Sequence, residues 1–468
     1  MNFSGNVSFN RFLLVVLKLY MLTALLAGCA GTTDDRTGEL LFERLDGPAI
    51  GIDFENNLIP TEEFNMYLFR NFYNGGGVAM GDVSGNGLPD IFLTGNMVSN
   101  RLYVNRGDYR FEDVTEKAGL ISEGSWSTGV SLADVNGNGR LDIFVVKSGP
   151  PDTPHRQNAL YINNGDGTFT DKAAEYGIAD VGLATHGVFF DYNQNGRLDL
   201  LLLNNSFDPV GGYEGITGAA RTIPDPQGGS RLYRNDGNTF TDVTKEAGIF
   251  ASRIGFSLSA SVADLTHNGY PDIYVANDFF ERDYLYLNNG DGTFKEVLPH
   301  QMNTISSSSM GSDVADIDNN GWPDIYVSDM LPADEKRHKS KMRYETWSDL
   351  QESIANGFHK QITRNTLQLN HGDTTFSDVA RFGGVEATDW SWAVLMADFD
   401  HNGYNDIYVT NGIYKDLLDQ DYIRYTANPE RIRELVETER GRVITTLMEQ
   451  IPSEPIPNKM FSNNGGLD

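Results

Sequence analysis

The chain has 468 residues, a formal net charge of −29, and many more glycines (49) than prolines (17). Aromatic residues make up 11% of it, which excludes low-complexity disorder, and so acidic a balance excludes nucleic acid or an anionic membrane surface as a partner. The length exceeds one ordinary domain, so an internal repeat is the first feature to seek.

The N-terminus reads as a targeting segment. Arg11 precedes an apolar stretch, Phe12 to Leu26, interrupted by Lys18 and ending in Leu26-Ala27-Gly28-Cys29. That order is the order of a secretory signal, and the run is too short and too interrupted for a comfortable membrane span. The LAGC sequence resembles a bacterial lipobox. It predicts a signal peptide over 1–28, lipidation of Cys29 and a small, polar tether over 29–41. Cys29 is the single cysteine, so no disulfide can form within the chain. Acyl chains on it would anchor the protein without a span. With Ala30 rather than aspartate next, the expected destination is the bacterial cell envelope, at the outer membrane on its periplasmic or surface side.

From residue 42 the chain is repetitive, and we read 42–468 as one repeat domain. Six nine-residue segments share a pattern: DVSGNGLPD from 82, DVNGNGRLD from 134, DYNQNGRLD from 191, DLTHNGYPD from 264, DIDNNGWPD from 316 and DFDHNGYND from 398. Calcium takes six to eight hard oxygen ligands, and alternating oxygen side chains on a curled loop supply them. Position 1 offers Asp82, Asp134, Asp191, Asp264, Asp316 and Asp398. Position 3 offers Ser84, Asn136, Asn193, Thr266, Asp318 and Asp400, and position 5 Asn86, Asn138, Asn195, Asn268, Asn320 and Asn402. Position 9 offers Asp90, Asp142, Asp199, Asp272, Asp324 and Asp406. The backbone carbonyl of position 7 is the further expected ligand, at Leu88, Arg140, Arg197, Tyr270, Trp322 and Tyr404. The expectation is therefore about six structural Ca²⁺ sites. Those at Asp316/Asp318/Asp324 and Asp398/Asp400/Asp406 should bind tightest, because each has one more carboxylate.

An EF-hand shares the first half of this pattern but needs a glutamate at position 12 between two helices. Position 12 here is Leu93, Val145, Leu202, Val275, Val327 and Val409, each in a β-branched, aromatic-rich run that reads as a strand. Between the loops a second element recurs, as in RLYVNRGDYRFEDV from 101 and YLYLNNGDGTFKEV from 284. It is a short strand, an Asn/Gly/Asp turn and a strand opening on phenylalanine, a β-hairpin signature. Asp166 and Asp291 are turn residues in this reading. His267 and His401, at loop position 4, point away from a metal and read as solvent-exposed. One repeat is then four antiparallel strands. The fold class is all-β: a β-propeller of four-stranded antiparallel blades with two helical insertions.

The insertions span 204–230, 332–363 and 413–455. The first is Gly/Pro-rich and reads as a long loop. The second carries Trp347, Leu350, Ile354 and Phe358 at helical spacing. The third contains Asn428-Pro429, an N-cap and N1 pair, followed by Ile432, Leu435, Val436, Val443 and Leu447 on one face. These helices either pack back on the propeller or form a ligand surface. Phe42 to Gly47 (FERLDG) resembles an outer blade strand, and KMFSNNGGLD from 459 starts another hairpin. Two closures follow: the N-terminal strand completes a sixth blade, or the chain is a truncated seven-bladed ring with an open edge. The interrupted SNNGGLD favours truncation.

These units resemble FG-GAP/VCBS repeats, the calcium-binding blades of integrin α-chain heads. The stretch FYNGGGVAMGDVSGNGLPDIFLTGN with RLYVNRGDYRFEDVTEKAG is similar to bacterial envelope proteins of the ASPIC/UnbV (cartilage acidic protein-like) group. The resemblance covers nearly all of the chain after residue 40 and implies a seven-bladed propeller used in extracellular recognition. Six loops and no recognisable ASPIC/UnbV segment depart from it. No HExxH, GxSxG, P-loop or dinucleotide fingerprint is present. The reading is a non-enzymatic, calcium-stabilised binding or adhesion scaffold for an unknown protein or glycan ligand. The alternative is a calcium-dependent polysaccharide lyase or hydrolase.

Overall fold

The computed structural model describes residues 43–150, 155–207, 216–342 and 346–466. The expected signal, the tether, Cys29 and Phe42 lie outside the described residues. Residues 46–468 form one unit; of residues 1–45, only 43–45 are described. Glu43 to Gly47 carry no strand, so the described part of FERLDG is not the blade strand expected of it.

Six antiparallel sheets follow one another along the chain. Blade 1 is Val78–Gly81, Asp90–Leu93, Arg101–Asn105 and Phe111–Asp113. Blade 2 is Trp126–Ala133, Asp142–Ser148, Ala159–Asn163 and Phe169–Asp171, and blade 3 is Leu183–Phe190, Asp199–Asn205, Arg231–Asn235 and Phe240–Asp242. Blade 4 is Ser257–Ala263, Asp272–Asn277, Tyr284–Asn288 and Phe294–Glu296, and blade 5 is Ser312–Ala315, Asp324–Val327, Thr366–Asn370 and Phe376–Asp378. Blade 6 has three described strands, Ser391–Ala397, Asp406–Asn411 and Lys459–Phe461. The four-stranded propeller blade expected from the repeat is thus what the chain forms.

The first strands of all six blades converge on one channel. Close approach there explains their small residues: a Cβ on Gly129 would lie 2.5 Å from the Thr185 carbonyl oxygen, and one on Gly311 would lie 2.1 Å from that of Trp392. Threonines bind blades 1 to 4 in series, with Thr94 Oγ1 donating to the Thr128 carbonyl (2.9 Å), Thr128 Oγ1 to that of Ala184 (2.8 Å) and Thr185 Oγ1 to that of Ser257 (2.6 Å), and serines link blades 4 to 5 and 5 to 6. Five apolar cores fill the spaces between successive blades, from blades 1 and 2 through blades 5 and 6. Among the described residues no such core joins the strands of blade 6 to those of blade 1. Val78 is accordingly 62% exposed, whereas Val130, its counterpart in blade 2, is 5% exposed.

Antiparallel alternation sorts the connections between two faces. Every first-to-second-strand loop and third-to-fourth-strand turn lies on one face, here the rim. All insertions lie on the other. The helix expected in the second insertion runs Trp347–Ala355, capped by Thr346, with Trp347 exposed. A second helix, Glu335–Lys341, precedes it. In the third insertion Asn428 caps Pro429–Thr438 as expected, and Gln420–Thr426 and Val443–Glu449 are also helical. Leu435 and Leu447 of its apolar face are buried, but Val436 is exposed. Segment 58–73, which sequence patterning did not single out, packs Phe64, Phe69 and Phe72 around Trp126 beside Tyr422, Met448 and Ile451. It covers the insertion face.

Candidate metal centres on the rim

Each rim loop is curled by its own oxygens. In loop 1, Asp82 accepts hydrogen bonds from the backbone N–H groups of Gly85 (2.7 Å), Asn86 (3.0 Å) and Gly87 (2.7 Å). The same aspartate accepts from positions 5 and 6 in every other copy, at Asp134, Asp191, Asp264, Asp316 and Asp398. The position-5 asparagine accepts from the position-7 N–H in all six loops, at 2.7–2.9 Å. Such a curl needs left-handed backbone twice. Position 6 is always glycine, and position 4 has φ between +53° and +74° in every loop, though four of its residues are Gln194, His267, Asn319 and His401.

The position-9 aspartates are buried at the start of the second strand: Asp90, Asp142, Asp199, Asp272, Asp324 and Asp406. One oxygen accepts from the position-2 N–H and the other from the N–H of the asparagine ending the third strand, as in Asp272 with Leu265 (3.0 Å) and Asn288 (2.8 Å). In four of them burial outweighs these bonds. It raises Asp142, pushes Asp199 and Asp272 to about 6, and pushes Asp324 to about 7. A carboxylate so desolvated and facing further oxygens is relieved by a bound cation, and in loop 2 Arg140 only partly offsets the burial of Asp142.

In loops 5 and 6 the structure brings three carboxylates together. Ligand atoms of Asp316, Asp318 and Asp324, and of Asp398, Asp400 and Asp406, lie within 4.8 Å of one another. These are the two triads the sequence marks as strongest. In the other loops Ser84, Asn136, Asn193 and Thr266 take position 3, so each offers two carboxylates and a neutral oxygen. An all-oxygen set on a glycine-bearing curl suits a hard cation of calcium's size. Asp166 and Asp291 sit in the hairpin turns, each accepting from the threonine two residues on, and that bonding holds both carboxyls low. They are turn residues, as expected.

Two features escaped sequence reasoning. The first is the asparagine that ends the third strand in blades 1 to 5, Asn105, Asn163, Asn235, Asn288 and Asn370, with its counterpart Asn463 two residues past the third strand of blade 6. Its amide bonds the position-8 carbonyl of its own loop at 3.0–3.2 Å. From blade 2 onward it also bonds the position-2 carbonyl of the preceding blade's loop: Val83, Val135, Tyr192, Leu265 and Ile317, at 2.7–2.9 Å. Its recurrence at the turn in all six copies was the available signal. The second is position 4. His267 is exposed, as expected, but it also stacks on Trp322 of the next loop with ring centroids 4.0 Å apart.

The chain is similar to several known proteins. Human cartilage acidic protein 1 is 30% identical over 168 residues, 32% of this chain and 24% of that protein. Human integrin alpha-7 is 37% identical over 93 residues, 18% of this chain and 8% of that protein. The chain thus spans a quarter or less of the curated relatives it matches. Among solved structures, an Agrocybe aegerita lectin described as recognising non-reducing terminal N-acetylglucosamine covers 71% of this chain, with 73% of its own length aligned, at 20% identity and a TM-score of 0.39. The FG-GAP-like repeat matches five times, over residues 82–145, 149–202, 219–275, 264–327 and 355–409, and the chain belongs to that repeat family.

Proposed function

We propose that this chain is a calcium-stabilised scaffold of the bacterial cell envelope, tethered through lipidated Cys29, that binds a protein or glycan with its insertion face and catalyses no reaction. The observation that carries the proposal is the division of labour between faces. The rim spends its polar groups on six oxygen-lined loops, while the opposite face gathers all insertions and two cavities. One cavity, about 270 Å³, is the insertion-side end of the channel, lined by Asn71, Asn74, His186 and Trp392. The other, about 310 Å³, is lined by Tyr67, Phe69, Asn71, Asn205, Phe207 and Phe256. Both are at the small end of ligand pockets, and aromatic faces with a few amides suit a sugar or a side chain of a partner. Calcium in the rim loops holds the blades in register and thereby the cavities in shape.

Glycan and protein arrays probed with the full chain, with calcium and with EGTA, test this reading. Calcium-dependent binding that is lost on substituting Phe207 and Phe256, but not exposed rim residues, is the expected result. Turnover of a polysaccharide by the full chain would overturn the non-catalytic part. Binding indifferent to EGTA would overturn the role given to calcium.

A further inference from the structure

The six loops are not equivalent in how they meet their neighbours. We propose that the loops of blades 3 to 6 take up cations as a coupled set, through position-4 side chains that reach the next loop, while the loops of blades 1 and 2 lack this link. The inference rests on the calcium reading above.

Position 4 has left-handed backbone in every copy, so glycine is the unstrained choice, and loops 1 and 2 have it as Gly85 and Gly137. Space does not explain the choice, because a Cβ on either would meet nothing within 4 Å. Loops 3, 4 and 5 carry a larger residue in the same strained conformation, and each uses it on the following loop. Gln194 Nε2 donates to the carbonyl of Gly269, position 6 of loop 4. The His267 ring lies against Trp322, position 7 of loop 5, tilted by 13°. Asn319 Nδ2 donates to the carbonyl of Gly403, position 6 of loop 6, at 2.9 Å. A return contact exists at the last junction, where Asn405 Nδ2 donates to the carbonyl of Asp316, position 1 of loop 5, at 2.8 Å.

The contacted groups are not peripheral. The Gly269 and Gly403 N–H groups bind the position-1 carboxylates Asp264 and Asp398, and the Trp322 N–H binds the position-5 oxygen of Asn320. Fixing the curl of one loop therefore fixes the peptide that its neighbour's side chain grips, and the reverse. Loops that must be ordered before they bind share that ordering cost when they are bonded together, which is positive coupling. The third-strand asparagines join all five junctions alike. Position 4 is what distinguishes the later three.

Terbium(III) luminescence excited through Trp322, at a wavelength tyrosine does not absorb, reads chiefly loop 5, since Trp126, Trp347, Trp390 and Trp392 lie outside the loops. The full chain is titrated with terbium in four forms: unaltered, Asp398→Asn, Asn319→Gly with Asn405→Leu, and all three substitutions together. The paired substitutions give this junction the residue types of loops 1 and 2, and glycine relieves the backbone. Crippling loop 6 with Asp398→Asn is expected to raise the terbium midpoint of loop 5 about fivefold, and much less once Asn319 and Asn405 are gone. An unchanged midpoint, or a shift of the same size in both backgrounds, overturns the coupling. Absence of any Trp322-sensitised signal overturns the calcium reading instead. If Asp398→Asn does not fold, the Hill coefficient of the Trp322 signal serves. It should fall toward one in Asn319→Gly/Asn405→Leu, and an unaltered value overturns the coupling.

Discussion

Asn288 shows how much one side chain holds. Its amide bonds the carbonyls of Tyr192 (2.8 Å) in the preceding loop and Pro271 (3.1 Å) in its own, and its oxygen accepts from the Gly290 N–H (2.9 Å). Asn288→Ala would strand the two carbonyls at a cost of about 2–6 kcal/mol, taking about 1–3 kcal/mol for each unsatisfied group. Asn105 bonds only Pro89 of its own loop by the same amide (3.1 Å), so Asn105→Ala should cost clearly less in a urea melt. Equal losses would show that the cross-blade bond is not what matters. A second residue-scale prediction concerns pH. Burial pushes both Asp278 and Asp283 up to about 7, from an ordinary 3.8, with Asp329 adding like charge and Arg70 opposing the shift at Asp278. The folded chain therefore holds protons there that the unfolded chain gives up. The stability they lend is full below about pH 4 and is lost as pH rises through 7. At fixed calcium the melting temperature should fall between pH 5 and pH 8, and the fall should shrink in Asp278→Asn; an identical pH profile in that variant would refute the assignment.

At the scale of elements, the insertion helices are pinned by charge as well as by apolar contact. Arg337 on Glu335–Lys341 pairs with Asp389 (2.6 Å), Asp416 (3.1 Å) and Glu454 (2.7 Å), and Lys341 with Asp419 (2.6 Å). This ties the blade-5 insertion to the blade-6 insertion. Arg337→Ala leaves Asp389 and Asp416 buried without that partner and should cost about 3–5 kcal/mol, read as a lower denaturant midpoint. A loss below 1 kcal/mol would mean that the cluster is screened like a surface pair. The same elements show where sequence reasoning reached and where it stopped. The rim loops were legible because alternating oxygen side chains and strand alternation each leave a local signature, and aliphatic residues such as Val145 and Val327 at position 12 removed the helical competitor. Asn428 announced its helix by its own type. The third-strand asparagines were read only as turn residues, because their decisive partners lie 80–146 residues away along the chain. The His267 contact was missed for the same reason: nothing within its own repeat reveals Trp322. Segment 58–73 has neither repeat nor period, and only the fold gives its aromatics a target.

For the whole molecule, calcium is expected to be a large share of what keeps the blades assembled. A site whose free cation exceeds its dissociation constant tenfold adds about 1.4 kcal/mol, and six such sites act on a unit whose blades share cores. Adding EGTA should lower the melting temperature by several degrees or more, and removing the third carboxylate from loop 5 or 6 (Asp318→Asn, Asp400→Asn) should weaken the tightest sites first in a calcium titration. A melt that ignores EGTA would contradict both. The separation of faces has one more consequence. Because every insertion leaves and rejoins the sheets on the side away from the rim loops, that side can be rewritten, lengthened or exchanged as a cassette while the repeats that build the frame stay fixed. The architecture gives such a chain a constant chassis and an interchangeable front, so related chains can diverge in what they hold without renegotiating how they fold.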